Sequence, residues 1–230
     1  MKEHHLFYIN ELLDNLGYGH FAHGFQHVTH SWFVILLMLS GGLFLARGIK
    51  LLPQKRQSFL EFTVGSLEDF MINITGPEGK SFFPFIATIF LYILICNLIG
   101  LVPGFFSPTA DYNTTLSLAL LTFIYTHYIG IKYHGFKYIK HFLGPIWYLI
   151  PIMLIIEIIG HLARVMSLTI RLFGNIFGKE KVLGILFALW GLYLVPLPIM
   201  VLGLLVSFVQ ALVFMLLATV YFAGAMEEAH

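Results

Sequence analysis

Ser167-Leu168-Thr169-Ile170-Arg171-Leu172-Phe173-Gly174-Asn175-Ile176-Phe177-Gly178-Lys179-Glu180 sets an arginine, an asparagine and an acid inside an almost wholly apolar run. A charge at the centre of a bilayer costs about 2.5–3.5 kcal/mol on insertion scales. Arg171 is therefore either a loop residue outside the membrane or a buried charge with a partner, water or a task. The choice decides how the second half of the chain folds.

The surrounding composition sets the solvent. Of 230 residues, 58% are hydrophobic and 11% charged, against about 25% charged in soluble domains. Mean hydropathy is +0.85. These values describe a polytopic all-α membrane protein. A net charge of +1 gives no electrostatic footprint for nucleic acid. The single cysteine, Cys96, sits in an apolar run, so neither an internal disulfide nor a cysteine metal cluster can form. Residues 1–31 read as an external polar segment, retained because it lacks the apolar core and cleavage site of a signal peptide. Residues 32–230 read as one membrane domain.

Taken in order, the first span is expected at about Trp32 to Ala46, followed by Arg47, Lys50, Lys55 and Arg56. Basic residues after a span mark the cytoplasmic side, so the N-terminus is expected outside. His4, His5, His20, His23, His27 and His30 then lie at or beyond the outer surface and show no clean metal-ligand spacing. From Ser58 to Ile74, apolar residues recur at helical spacing with Glu61, Glu68 and Asp69 between them, which predicts an amphipathic helix in the interface. The second span runs from Phe82 to Val102 and carries Asn97; Pro103 and Gly104 end it. The third, from about Leu116 to Ile131, returns to Lys132, Lys137 and Lys140. His127, His134 and His141, spaced by seven near that basic end, read as a solvated face rather than haem ligands.

Plain hydropathy would cut the remainder into spans near 143–163, 182–203 and 205–225. That puts Arg164, Arg171, Lys179 and Lys181 in an external loop, against the charge rule. The alternative is one long helix from about Pro145 to Trp190, a turn at Gly191 to Pro198, and a last helix from about Ile199 to Ala225. The chain then has five membrane helices and a cytoplasmic end at Met226 to His230. The long helix would cover ~69 Å at the standard rise, against a ~30 Å hydrocarbon core. It must lie steeply or bend.

On that helix Glu157, Arg164, Arg171 and Asn175 are separated by seven, seven and four residues and share one stripe. Ser167 lies one turn before Arg171 on the same side. Three charges at mid-membrane cost roughly 8–10 kcal/mol, so the stripe must face protein or water. Glu180 falls about 180° from Arg171. Gly174 and Gly178 allow close approach of another helix. Ser207 and Gln210 share a face of the last helix, with Asn175 as an obvious neighbour.

These residues resemble a known family, subunit a of the F-type ATP synthases. The resemblance rests on Ser167-Leu168 with Arg171-Leu172-Phe173-Gly174-Asn175 and Glu180. It also rests on Gln210-Ala211 with Phe214-Met215, Thr219 and Tyr221, on Asn97 to Gly104, and on Glu157 two heptads before the arginine. It implies a proton-conducting stator subunit with two aqueous half-channels, beside a rotating c-ring, with peripheral-stalk b subunits and indirectly the catalytic ATPase head as further partners. The setting it implies is a bacterial inner membrane, with no catalytic role of the chain's own, no cofactor and no metal. Arg171 would be the essential charge facing the ring carboxylate. Asn175, Glu180 and Gln210 would belong to the ion path from the outer side, with Ser167, Glu157 and Asn97 as weaker contributors. Gly100 and Gly203 depart from the pattern, since some members carry ionisable residues there. They leave the partner of Glu180 open, His30 being one candidate. The competing reading is an ion-coupled secondary transporter, against which no paired internal repeat is visible. An intramembrane enzyme would need an acid pair or nucleophile motif; His161, four residues after Glu157, reads instead as an ion pair or packed polar group.

Overall fold

A computed structural model describes residues 26–47, 55–102, 104–135, 138, 150–190 and 196–227. The expectations for His4, His5, His20, His23, Lys50, Lys137, Lys140 and His141, for the start near Pro145 and for the turn at 191–195 lie outside the described residues. The helices are α1 (Gln26–Ala46), α2 (Lys55–Thr75), α3 (Phe83–Ile99), α4 (Tyr112–His134), α5 (Ile150–Trp190) and α6 (Leu197–Met226). Short 3-10 turns at Pro77–Phe82 and Pro108–Ala110 flank α3. Five helices are long and apolar enough to cross a membrane, and α2 is not among them. The protein is a multi-pass membrane protein.

Local chemistry sets the boundaries. Gly76, at φ 73°, and Pro77 end α2 and start the turn into α3. Asp111 caps α4 by accepting from the Asn113 N–H at 2.8 Å. Gly135, at φ 56°, closes α4 with its N–H on the Ile131 carbonyl. Inside the helices, hydroxyls bond their own backbone, as in Thr122 to Leu118 O and Thr219 to Met215 O. Such bonds satisfy each of these hydroxyls within its own helix rather than leaving it bare in an apolar solvent.

The same device extends the first span. α1 is helical from Gln26, so residues 26–31 extend the short run from Trp32 to Ala46 to 21 residues. Thr29 bonds Gln26 O, Ser31 bonds His27 O, and His30 Nδ1 lies 2.9 Å from Gln26 O. Polar letters in the sequence are here satisfied within the helix itself. α5 is continuous over 41 residues, so the loop required by the six-span division does not exist. Its described length is about 60 Å at the standard rise.

The helices alternate in direction. His27 at the start of α1 lies 3.7 Å from Asp111 at the start of α4. At the opposite end, Lys132 of α4 lies over the Phe82 ring beside α3. The core is an aromatic cluster between α3, α4 and α6. Phe85 stacks on Tyr125 with centroids 4.0 Å apart, and Phe222 packs against Phe82, Phe85 and Tyr125. α5 buries Val165, Leu168, Thr169, Leu172 and Ile176 and leaves its other face exposed. Phe222→Ala should destabilise the subunit by about 3–5 kcal/mol, measured as a lowered thermal unfolding temperature in detergent.

Candidate functional site

Gly104, at φ 94°, takes a backbone conformation that suits glycine. It turns the chain after α3 back so that Ser107 to Ala110 fold onto the end of that helix. Ser107 Oγ donates to the Cys96 carbonyl at 2.8 Å and lies 2.8 Å from Thr109 Oγ1. Thr109 donates to Asn97 Oδ1 at 2.6 Å. The Ser107 N–H donates to Glu180 Oε1 at 2.6 Å, a short charge-assisted hydrogen bond if the carboxylate is ionised. The partner of Glu180 left open by the sequence is thus a backbone amide.

Asn97 lies in the last turn of α3, where carbonyls lack a partner in the helix. Its carbonyl accepts from Lys179 Nζ at 3.0 Å and lies 3.3 Å from Ser207 Oγ, which donates to the Gly203 carbonyl at 2.7 Å. Its side-chain amide reaches the Ser207 carbonyl at 3.4 Å. Lys179 also donates to Ser207 Oγ at 3.1 Å. One turn earlier on α5, Asn175 Nδ2 donates to Gln210 Oε1 at 2.8 Å. The antiparallel α5 and α6 are therefore joined by two polar rungs, Asn175–Gln210 and Lys179–Ser207.

Arg171 stands one further turn along the same side of α5. It is exposed, and among the described residues none makes a hydrogen bond or ion pair with it. Ser167 and Asn175 are also exposed on that face, as are Gly174 and Gly178. A Cβ added at either glycine would meet nothing within 4 Å. Glu180 is half-buried and turned inward to Ser107. Glu157 lies apart from this cluster, with Oε1 3.2 Å from His161 Nε2. His30 is buried against Phe106, with its centroid 6.1 Å away.

The profile of the ATP synthase A chain matches residues 28–223. The chain belongs to the ATP synthase A chain family. It is 56% identical to ATP synthase subunit a of Desulfosudis oleivorans, over 100% of both chains. Identity to ATP synthase subunit a of Syntrophobacter fumaroxidans is 52%, over 99% of this chain and 100% of that one. It is 53% for that of Trichlorobacter lovleyi, over 88% of each.

Within this chain, the two glycine departures have a steric reason. A Cβ on Gly100 would lie 2.6 Å from Ser107 Cβ and 2.9 Å from Glu180 Oε1. A Cβ on Gly203 would lie 2.8 Å from Leu101 Cδ2 and 3.0 Å from Lys179 Cδ. Space that a side chain at these positions would fill is taken by Glu180 and by the lysine stem. Lys179, Ser107 and Thr109 are members of the cluster that the sequence reading did not select. Lys179 follows Asn175 by four residues, a spacing that puts it on the α6-facing side. For Ser107 and Thr109 no spacing gave a signal, because the fold at Gly104 brings them in.

Gly100→Ala should force Ser107 or Glu180 to move and destabilise the detergent-solubilised subunit by about 1–3 kcal/mol. Gly174→Ala, with open space around it, should leave the unfolding temperature unchanged or slightly raised.

Proposed function

We propose that this chain is the ion-translocating stator subunit of the membrane sector of an F-type ATP synthase, acting against a ring of carboxylate-bearing c subunits. One observation carries the reading: Arg171 is a guanidinium without a polar partner among the described residues of its own chain, on an exposed, glycine-lined face of a membrane helix. Such a charge is costly against lipid, and a carboxylate from a neighbouring subunit would compensate it. Gly174 and Gly178 allow that neighbour close approach.

The mechanism follows from the chemistry of the pair. Arginine keeps its proton. Beside a ring carboxylate it lowers that group's pKa and favours proton release. It also bars direct passage along the stator, so the proton must travel round on the ring. The cluster of Glu180, Ser107, Thr109, Asn97, Ser207 and Lys179, continued by Gln210 and Asn175, supports a polar route to the ring from one side. With the N-terminus outside and the C-terminus cytoplasmic, as Arg47 and Lys132 favour, this is the outer half-channel, in a bacterial inner membrane. The field contributes about 2.3 kcal/mol per charge per 100 mV. Peripheral-stalk b subunits would hold the chain, and the catalytic head would be coupled only indirectly; the subunit itself performs no catalysis.

Arg171→Ala should abolish ATP-driven proton pumping in membrane vesicles while the c-ring still co-purifies. Near-normal pumping by that variant refutes the reading. Gln210→Leu and Glu180→Gln should slow the flux less completely, and unchanged flux in both removes them from the path.

A further inference from the structure

A second polar cluster lies on the other side of Arg171 along α5. Glu157, His161 and Arg164 come fourteen, ten and seven residues before the arginine, whereas Lys179 and Glu180 come after it. The His161 and His127 rings of α5 and α4 face each other with centroids 4.9 Å apart. His161 Nε2 is 3.2 Å from Glu157 Oε1, with the carboxylate side chain 32% exposed and the imidazole 13%. Beyond His161 opens a small cavity, about the size of one water molecule, lined by Thr122, Thr126, Arg164 and Tyr221. Leu168 closes it, three residues or about 4.5 Å along the axis from Arg171.

The groups suit proton exchange. His127 Nδ1 lies 3.0 Å from the Phe123 carbonyl, and a carbonyl can only accept. Nδ1 therefore carries a proton, and in the neutral ring Nε2 is the basic atom. Thr122 and Thr126 donate to backbone carbonyls of their own helix, so their oxygens present lone pairs to the cavity. Arg164 lies over the Tyr221 ring at 5.6 Å, a fixed cation at the inner end. Tyr138 packs its ring 5.9 Å from His127. His134 is half-buried two turns further along α4.

We propose that His161, with His127 and Glu157, is a proton-exchange station on the side of Arg171 opposite Glu180, handing protons between the exposed carboxylate and the cavity. The inference rests on the stator reading. In each transfer an O–H or N–H bond breaks as the bond to the neighbouring carboxylate oxygen, imidazole nitrogen or water forms, with no other reactant.

The test uses the whole complex in inverted membrane vesicles, reading ATP-driven pumping and passive proton flux over a range of pH. His161→Gln keeps size and hydrogen bonding but does not titrate. It should lower flux roughly 100-fold, the low end for a positioned acid–base group, with c-ring co-purification retained. His161→Asp should restore part of the flux with its pH profile moved to the acid side, a change that a purely structural role would not produce. Wild-type flux and pH profile in both His161→Gln and His127→Gln overturn the inference. Arg171→Ala separates the two readings: if it stops pumping while the histidine variants pump normally, only the station fails; if it too pumps normally, the stator reading has failed.

Discussion

A single buried amide residue joins the elements around the site. Asn97 accepts from Thr109, reaches the Ser207 carbonyl, and offers its own carbonyl to Lys179. It thereby ties α3, the turn after it, α5 and α6 at one point. Helices in a bilayer gain little from apolar contact alone, since lipid is as apolar as their side chains. Polar contacts of this kind fix which helix faces which. The same contacts also bring Lys179 and Glu180 to this junction, so one cluster both specifies the packing and gathers titratable side chains.

The glycines complement that junction. Gly100 and Gly203 are empty at Cβ because Glu180 and the Lys179 stem fill the space. Gly174 and Gly178 are empty and remain open. The first pair serves packing inside the chain; the second lies on an exposed face with open space beside it. Glycine at four places thus has two physical meanings, separable only once the neighbours are known.

The sequence made the five spans legible because long apolar runs report the surrounding lipid directly. It also made α5 legible as one helix, since four basic residues in an outer loop would contradict charge asymmetry. The facing of Asn175 and Gln210 followed from two antiparallel helices with polar stripes. The partner of Glu180 was not legible. A backbone N–H has no side-chain signature, and it arrives there only through the φ of Gly104. The polar residues that extend α1 before Trp32 fit a helix because Thr29, His30 and Ser31 meet carbonyls of their own helix.

The continuity of α5 acts as a ruler. Glu157 and Glu180 are carried on one unbroken helix, about 35 Å apart along its axis, with Arg171 between them. A single rod fixes both spacings against distortion, because moving one group means moving all three. The exposed face of α5 is thus one continuous edge rather than a set of loops, and the intervals between the charges the helix carries are set by the helix itself.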